Sequence, residues 1–229
     1  MSTIEDIMDF CKELMNPIEI RNKNVLSILE RAEDIVKDKL YESWKLRAAN
    51  EDAERWVNRE YLDYVMGLGN KHDGFPASSK SYNMGNDPAS IVKNESHFDQ
   101  VKSIKRDLIT ELGVRYNALF SVYPPGGYIS WHNNQNAPGY NVLMTWSENG
   151  DGYWEHLDPK TNEVVRIDDV PGWQCKYGYY GSYIEGMDKV LYHAAATNCW
   201  RITIAFVFNA EEGGKYMSEM MVEDLQSEF

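Results

Sequence analysis

The stretch SVYPPGGYISWHNN, residues 121–134, decides how the rest of the chain is interpreted. The PPGG segment is typical of a turn. The YISWH segment after it is typical of a short strand, and His132 is its last residue. Asn134 stands two positions further on, where an aspartate would give half of a non-haem iron site. The stretch is therefore either a metal motif or a polar loop that follows a strand.

Seven further segments around this one have the residue pattern typical of short strands. Gly, Pro, Asn and Asp separate them, and this spacing predicts an antiparallel sandwich or a small barrel. In chain order the predicted strands are VRYNALFSVY, YISWH, YNVLMTW, GYWEHLD, EVVRIDD, WQCKYGYYG, KVLYH and WRITIAFVF.

The last of these strands has one apolar face and one mixed face. Alternate residues of a strand point to opposite sides, so Arg201, Thr203 and Ala205 share a face. The opposite face is formed by isoleucine and phenylalanine side chains. A guanidinium that faces a cavity needs an anion, which it binds in a bidentate manner when the anion is a carboxylate. We therefore predict a carboxylate site at Arg201, with a hydrogen bond from Thr203.

Two histidines are predicted at strand ends, His132 after YISWH and His193 after KVLYH. If both strands end at the same mouth of the barrel, the two imidazoles can bind one metal ion. Two histidines and one carboxylate form the facial triad of non-haem Fe(II) oxygenases, which leaves coordination positions open for other ligands.

From position 123 to position 208 the chain resembles the double-stranded β-helix core of the 2-oxoglutarate/Fe(II)-dependent oxygenases. The family pattern is H-x-D, a distal His, and an Arg followed two residues later by Ser or Thr. This chain has His132-x-Asn134, His193 and Arg201-x-Thr203 in the same order. The segment YPPGGYISWHNN is similar to the corresponding stretch of the AlkB-like branch, and the prolyl and asparaginyl hydroxylase branches are also similar.

The resemblance implies an α+β fold, in which a double-stranded β-helix (a jelly-roll or cupin-like core) carries N-terminal helices. It implies that His132, Asn134 and His193 hold Fe(II). It also implies that Arg201 and Thr203, helped by Tyr123, bind the distal carboxylate of 2-oxoglutarate. The expected activity is that of a dioxygenase, a hydroxylase acting on a small-molecule or protein substrate.

Asn134 is the departure from the family pattern, and several explanations are open. Its amide oxygen can ligate, although weakly because it carries no charge. Asp151, Glu155 or Asp158 can substitute for the missing acid. The site can also use two histidines alone, as in the aspartyl/asparaginyl β-hydroxylase branch and in halogenases. The remaining alternatives are an inactive jelly-roll binding module with a degenerate metal site, and a cupin-like metalloenzyme that does not use 2-oxoglutarate.

The chain before residue 113 has helical patterning. Helices are predicted from Ser2 or Thr3 to Met15, over the apolar repeat at 25–40, over 51–67 and over 95–112, with a long loop between the last two. We expect residues 1–112 to brace the β core at 113–210, and residues 211–229 to form an acidic tail with a short helix. All three segments are expected to form one structural domain.

Charge and cysteine content narrow the class of function. A net charge of −13 argues against broad binding of nucleic acid or anionic membranes. The three cysteines, Cys11, Cys175 and Cys199, form no CxxC pair. With no apolar run of about 20 residues and no signal-peptide pattern, the expected location is the cytoplasm and no membrane partner is expected.

We do not expect the other histidines to bind the metal ion. His156 lies among acids in YWEHLD and is expected at the surface. His72 and His97 are expected to be structural. Trp131 and Tyr140 flank the proposed metal site, where they line the substrate entrance or pack in the core.

Overall fold

The computed structural model describes residues 15–84, 95–115 and 118–228. The helix predicted before Met15 lies outside these residues, as does Cys11. Within them, none of the helices is long and apolar enough to cross a membrane. The strands are β1 Asn16–Ile18, β2 Ser79–Lys80, β3 Tyr82–Asn83, β4 Leu119–Tyr123, β5 Gly127–His132, β6 Gly139–Ser147, β7 Gly152–Leu157, β8 Val164–Asp168, β9 Gly172–Tyr180, β10 His193–Thr197 and β11 Arg201–Asn209. The α-helices are α1 Lys23–Lys37, α2 Ala53–Val57, α3 Arg59–Leu68, α4 Glu95–Glu111 and α5 Glu212–Gln226.

The order of the strands defines a double-stranded β-helix. One antiparallel sheet has the order β1-β9-β6-β11-β4-β3, and the other has the order β2-β5-β10-β7-β8. Along the chain, β4, β6, β9 and β11 fall in the first sheet, while β5, β7, β8 and β10 fall in the second. The chain thus passes repeatedly from one sheet to the other, and the predicted α+β class with this core is confirmed.

The PPGG segment forms the turn between the first two core strands. The N–H of Gly127 donates to Pro124 O at 2.7 Å, and Gly126 has a φ of 72°, which a residue without Cβ adopts freely. A Cβ at Gly127 would lie 2.6 Å from Pro124 O, so that position requires glycine. This turn passes the chain from the first sheet to the second.

Helices α1, α4 and α5 cover the outer face of the first sheet, and α2 and α3 pack on the outer face of the second sheet. The side chain of Asn22 caps α1 by accepting the Val25 N–H at 3.0 Å. The buried stripe of α1, which includes Leu29 and Ile35, belongs to the same core as Ile202 and Ile204 of β11. Apolar residues of α4 and α5 join this core, and α5 confirms the short helix predicted after Asn209.

Two of the predicted helix and loop assignments need correction. The single helix predicted over 51–67 is divided into α2 and α3, because Asn58 has an extended backbone and its side chain caps α3 by accepting the Tyr61 N–H at 2.8 Å. The predicted loop after α3 contains β2 and β3, which pair with β5 and β4. Polar composition hid these strands, although short edge strands tolerate polar residues.

The strand predicted at KVLYH is also displaced. A 3₁₀ turn occupies Met187–Lys189, and the paired strand begins only at His193. Residues 190–192 are buried, and their side chains alternate between two apolar clusters on opposite sides of the chain, as in an extended segment. They lie outside the paired strands of the sheet. His193 therefore begins a strand instead of ending one.

Candidate active site

A β-bulge turns His132 towards the interior between the two sheets. His132 pairs with His193, and Ile129 pairs with Ala195, so two residues of β5 oppose one residue of β10. The extra residue reverses the alternation, and both His132 and Ile129 face inward. Trp131 instead packs on the outer side, where its indole N–H donates to Val57 O at 3.0 Å.

The two imidazoles form a close, buried pair. The ring centroids of His132 and His193 are 4.1 Å apart. Each Nδ1 lies near a backbone carbonyl oxygen, 2.8 Å from Ser130 O and 3.1 Å from Leu191 O. Because a carbonyl only accepts, Nδ1 carries the proton in each ring and Nε2 keeps its lone pair. Burial lowers the pKa of His132 to about 4 and lowers the pKa of His193 well below its usual range, so both rings are neutral.

Asn134 lies in the loop directly after β5. It is half-buried and has a φ of 50°, a conformation that asparagine tolerates better than most residues. Its N–H donates to Gly74 O at 3.0 Å, and its carbonyl accepts from the Ala137 N–H at 2.8 Å. Asn134 thus has a backbone role in the turn, whatever its side chain binds.

None of the three acids considered as a substitute ligand lies with the imidazoles. Glu155 pairs with Ala194 and faces outward, towards Arg166. Asp158 accepts the Lys160 N–H at 2.7 Å in an exposed turn. Asp151 is exposed at the opposite end of β7. The described part of the chain contains no group of three His, Cys, Asp or Glu side chains placed to hold a metal ion.

His156 is buried, which corrects the surface position expected for it. It is 3% exposed and pairs with His193 on the adjacent strand, so it faces inward. Its ring lies against Trp154, with centroids 5.0 Å apart. Neither ring nitrogen has a hydrogen-bond partner among the described residues. Burial lowers the pKa of His156 to about 4, so the ring is neutral.

Arg201 lies on the inner face of the first sheet together with the other two residues predicted for the carboxylate site. Its Nη1 donates to Thr203 Oγ1 at 2.7 Å. Tyr123 is its partner on β4, with the guanidinium carbon 5.7 Å from the centre of the phenol ring. Arg201 is 2% exposed, and its Nε also donates to Asp169 Oδ2 at 2.8 Å.

A row of hydroxyl groups crosses the sheet beside the guanidinium. Ser121, Thr203 and Thr145 are in register on β4, β11 and β6. Arg201 Nη2 reaches Thr145 Oγ1 at 3.5 Å. Gln174 continues the row on β9. Buried hydroxyls and a guanidinium are the donors that a bound carboxylate requires.

Lys176 adds a second buried cation that the sequence did not reveal. It is 1% exposed, and its Nζ lies 3.8 Å from Asp169 Oδ1. Burial, and then the charge of Arg201, lowers the pKa of Lys176 to about 8. Two cations therefore share the carboxylate of Asp169, and the buried group keeps a net charge of about +1 at neutral pH.

The remaining residues singled out in the sequence lie away from this interior. Tyr140 faces outward and packs against the helix-covered core. His97 lies on α4 with Nδ1 3.5 Å from Ser43 Oγ. His72 is buried, and its Nδ1 accepts the Gly74 N–H at 2.9 Å, which supports the structural role expected for it.

Comparison with known proteins gives structural similarities at low identity. No family model matches the chain, and no curated protein matches it. A prolyl-4-hydroxylase from Pseudomonas putida is 13% identical, with 76% of this chain and 96% of that chain covered and a TM-score of 0.31. The viral collagen prolyl hydroxylase of Paramecium Bursaria Chlorella virus-1, in its 2OG complex, is 12% identical over 72% of this chain and 94% of that one, with a TM-score of 0.30. The dioxygenase for auxin oxidation 1 of Arabidopsis thaliana, in a 2-oxoglutarate complex, is 14% identical over 82% and 80%, with a TM-score of 0.36. At these TM-scores, the assignment of the fold rests on the strand order and not on the similarities.

Proposed function

We propose that the protein is an Fe(II)- and 2-oxoglutarate-dependent oxygenase, a hydroxylase. The observation that carries the proposal is the pairing of two features on the inner faces of one double-stranded β-helix. The second sheet presents the neutral pair His132 and His193. The first sheet presents Arg201 within a buried group of net positive charge. A dicarboxylate can bind a metal ion at one end and a cation at the other.

The residues of the interior fit a divalent metal ion. Neutral imidazoles with free Nε2 lone pairs are ligands for Fe(II), and each ring is oriented by a carbonyl oxygen in the manner usual for ligating histidines. In the proposal His132 and His193 hold the metal, and Asn134 supplies an amide oxygen. When bound, the ion with 2-oxoglutarate and O2 supplies the oxidising chemistry, while the protein supplies positioning and a dry pocket.

The buried charges fit the distal carboxylate of 2-oxoglutarate. Arg201 uses its Nε for Asp169, so the edge formed by its two terminal nitrogens is directed towards Thr203 and Thr145. A carboxylate bound there would accept from this edge and from the hydroxyl groups, with Tyr123 alongside. Arg201, Lys176 and Asp169 together carry one excess positive charge, and the distal carboxylate of 2-oxoglutarate would neutralise it.

We further propose that the chain forms one structural domain. In the described part of residues 1–112, helices brace the core at 113–210, and three short strands extend its sheets. The tail at 211–229 packs one helix on the core. Cys175 and Cys199 are buried free thiols, which supports a reducing compartment such as the cytoplasm.

The experiment is an anaerobic titration of the purified protein with Fe(II) and 2-oxoglutarate, monitored by the weak visible charge-transfer band of the chelate. We expect a band that is lost in His193→Ala and weakened in Arg201→Ala. With O2, the protein should convert 2-oxoglutarate to succinate. Absence of the band at saturating Fe(II) and 2-oxoglutarate, with the protein folded, would contradict the proposal and favour a binding module.

A further inference from the structure

An aromatic cleft lies on the surface formed by α2, α3 and the loop that follows them. It has a volume of about 620 Å³, which is in the range of small-molecule sites. Four aromatic side chains line it, those of Trp56, Tyr61, Tyr64 and Phe75. Tyr64 and Phe75 are each 60% exposed, an unusual exposure for two large aromatic side chains that line one cleft.

The wall of the aromatic cleft is tied to the segment that follows His132. His72 lines the cleft, and its backbone carbonyl accepts from the side-chain amide of Gln135. Gly74, two residues later, accepts the N–H of Asn134. The side chain of His72 interacts with that of Asn133, the residue directly after His132. The cleft wall is therefore hydrogen-bonded to the loop that directly follows His132.

The aromatic rings of the cleft offer flat surfaces. Trp56 and Tyr61 are in edge contact, with centroids 4.9 Å apart and an interplanar angle of 78°. Tyr61 and Tyr64 lie 5.8 Å apart at 35°. The indole N–H of Trp56 is buried and has no hydrogen-bond partner among the described residues. A ligand with a planar ring would stack on the exposed rings.

The charge of the cleft is opposite to that of the whole protein. Arg55 lies over the ring of Trp56, with its guanidinium carbon 4.9 Å from the ring centroid, and Lys71 is a second lining cation. Asp73 is the acid among the lining residues, and one of its oxygens accepts the Phe75 N–H at 3.0 Å. Burial lowers the pKa of His72, which keeps that ring neutral. A net positive site on a chain of charge −13 selects an anion.

We propose that the aromatic cleft binds the substrate, and that this substrate is a planar aromatic small molecule bearing a carboxylate. The aromatic walls stack on the ring, and Arg55 and Lys71 bind the carboxylate. The substrate role rests on the oxygenase proposed above, because it requires a metal ion held by the neighbouring imidazoles.

Binding is tested by calorimetry on the metal-free protein with three probes. Naphthalene-2-carboxylate is planar and anionic, naphthalene-2-methanol is its neutral analogue, and cyclohexanecarboxylate is anionic but not planar. We expect naphthalene-2-carboxylate to bind at least about 10-fold more tightly than either analogue, since each lacks one interaction of about 1.4 kcal/mol. Arg55→Gln should remove most of the preference over the alcohol. Arg166→Gln is the matched control, because Arg166 also lies over an aromatic ring, that of Tyr153, but outside the cleft.

Equal affinities for the anion and the alcohol, or equal effects of the two arginine substitutions, would overturn the proposal. The substrate role is tested by adding Mn(II) and measuring the NMR line widths of bound naphthalene-2-carboxylate. We expect broadening that His193→Ala abolishes. Binding without broadening would overturn the substrate role, and an Mn(II) titration of the same sample by electron paramagnetic resonance shows whether the proposed metal site itself has failed.

Discussion

Replacing Lys176 by Met should weaken 2-oxoglutarate binding by roughly 30-fold. The Lys176 ammonium lies 3.8 Å from one oxygen of Asp169, and the Arg201 guanidinium lies 2.8 Å from the other. The ammonium is therefore about 7 Å from a carboxylate bound to the guanidinium. At an effective dielectric constant of about 20, a charge at that distance contributes about 2 kcal/mol, which is about 30-fold in affinity.

The substitution should leave the fold intact, since Asp169 keeps its ion pair with Arg201 and methionine fills a similar space. The assay is calorimetric titration of the Mn(II)-loaded protein with 2-oxoglutarate and, separately, with 2-oxovalerate, which has a methyl group in place of the distal carboxylate. The 30-fold loss is expected for 2-oxoglutarate alone. Binding by the wild type should also weaken as the pH rises through about 8, where Lys176 loses its proton, and the variant should not show this dependence.

Asp169→Asn is a control that should change the affinity for 2-oxoglutarate in the opposite direction. It removes the internal carboxylate that competes for Arg201, so 2-oxoglutarate should bind more tightly. The free energy of unfolding should fall by about 3–5 kcal/mol, because two buried cations lose their counter-ion. An unchanged affinity in Lys176→Met, at unchanged thermal stability, would refute the idea that the buried net charge recruits the co-substrate.

Three further predictions concern stability and the metal site. Asn134→Asp should tighten Fe(II) binding by about 10-fold or more, because a carboxylate adds charge to the ligand set; equal affinity in an anaerobic Fe(II) titration would show that this side chain does not reach the metal. His156→Phe should raise the thermal stability of the metal-free protein by about 1 kcal/mol, since it removes two buried nitrogens without hydrogen-bond partners; a lower unfolding midpoint in calorimetry would show that those nitrogens are satisfied. Burial raises the pKa of Glu155 to about 7, so the folded state retains a proton that the unfolded state releases, and stability falls as the pH rises through the window from about 4.5 to 7. Glu155→Gln should therefore be more stable than the wild type at pH 8 by about 1–2 kcal/mol and equal to it at pH 4.5, as measured by urea denaturation; a gain of equal size at both values would rule out titration as the cause.

The alternation of residues in β11 was sufficient to predict the inner face of the first sheet. Arg201, Thr203 and Ala205 face inward, and the isoleucines pack under the helices. The guanidinium on this inner face is buried and forms an ion pair with Asp169. The same simple rule fails for β5, where the bulge moves Trp131 outward and brings His132 in.

Lys176 and Asp169 could not be assigned to the interior from the sequence. A lysine within a strand of tyrosines is compatible with either face, and Asp169 lies in a turn between strands. The overall charge of −13 does not exclude a basic group inside a site, but it does not locate one either. Only the pairing of β9 with β6 places Lys176 opposite Leu143, which is itself opposite the inward Ala205. The local polarity of this interior is thus a product of strand register, which composition does not encode.

The backbone conformation of Asn134, which the sequence motif does not show, bears on why an asparagine stands at this position. The residue has a φ of 50°, and the loop around it is tied to the wall of the aromatic cleft through Gly74. Asparagine is among the residues that occupy this backbone region at the lowest cost. Aspartate tolerates it as well, so the turn alone does not explain the loss of charge. In the proposed metal site the neutral side chain of Asn134 would match His132 and His193, which are also neutral, while the positive charge lies on the opposite sheet. In such a site the two carboxylates of 2-oxoglutarate would supply negative charge both at the metal ion and at Arg201. Tight metal binding would then require the co-substrate.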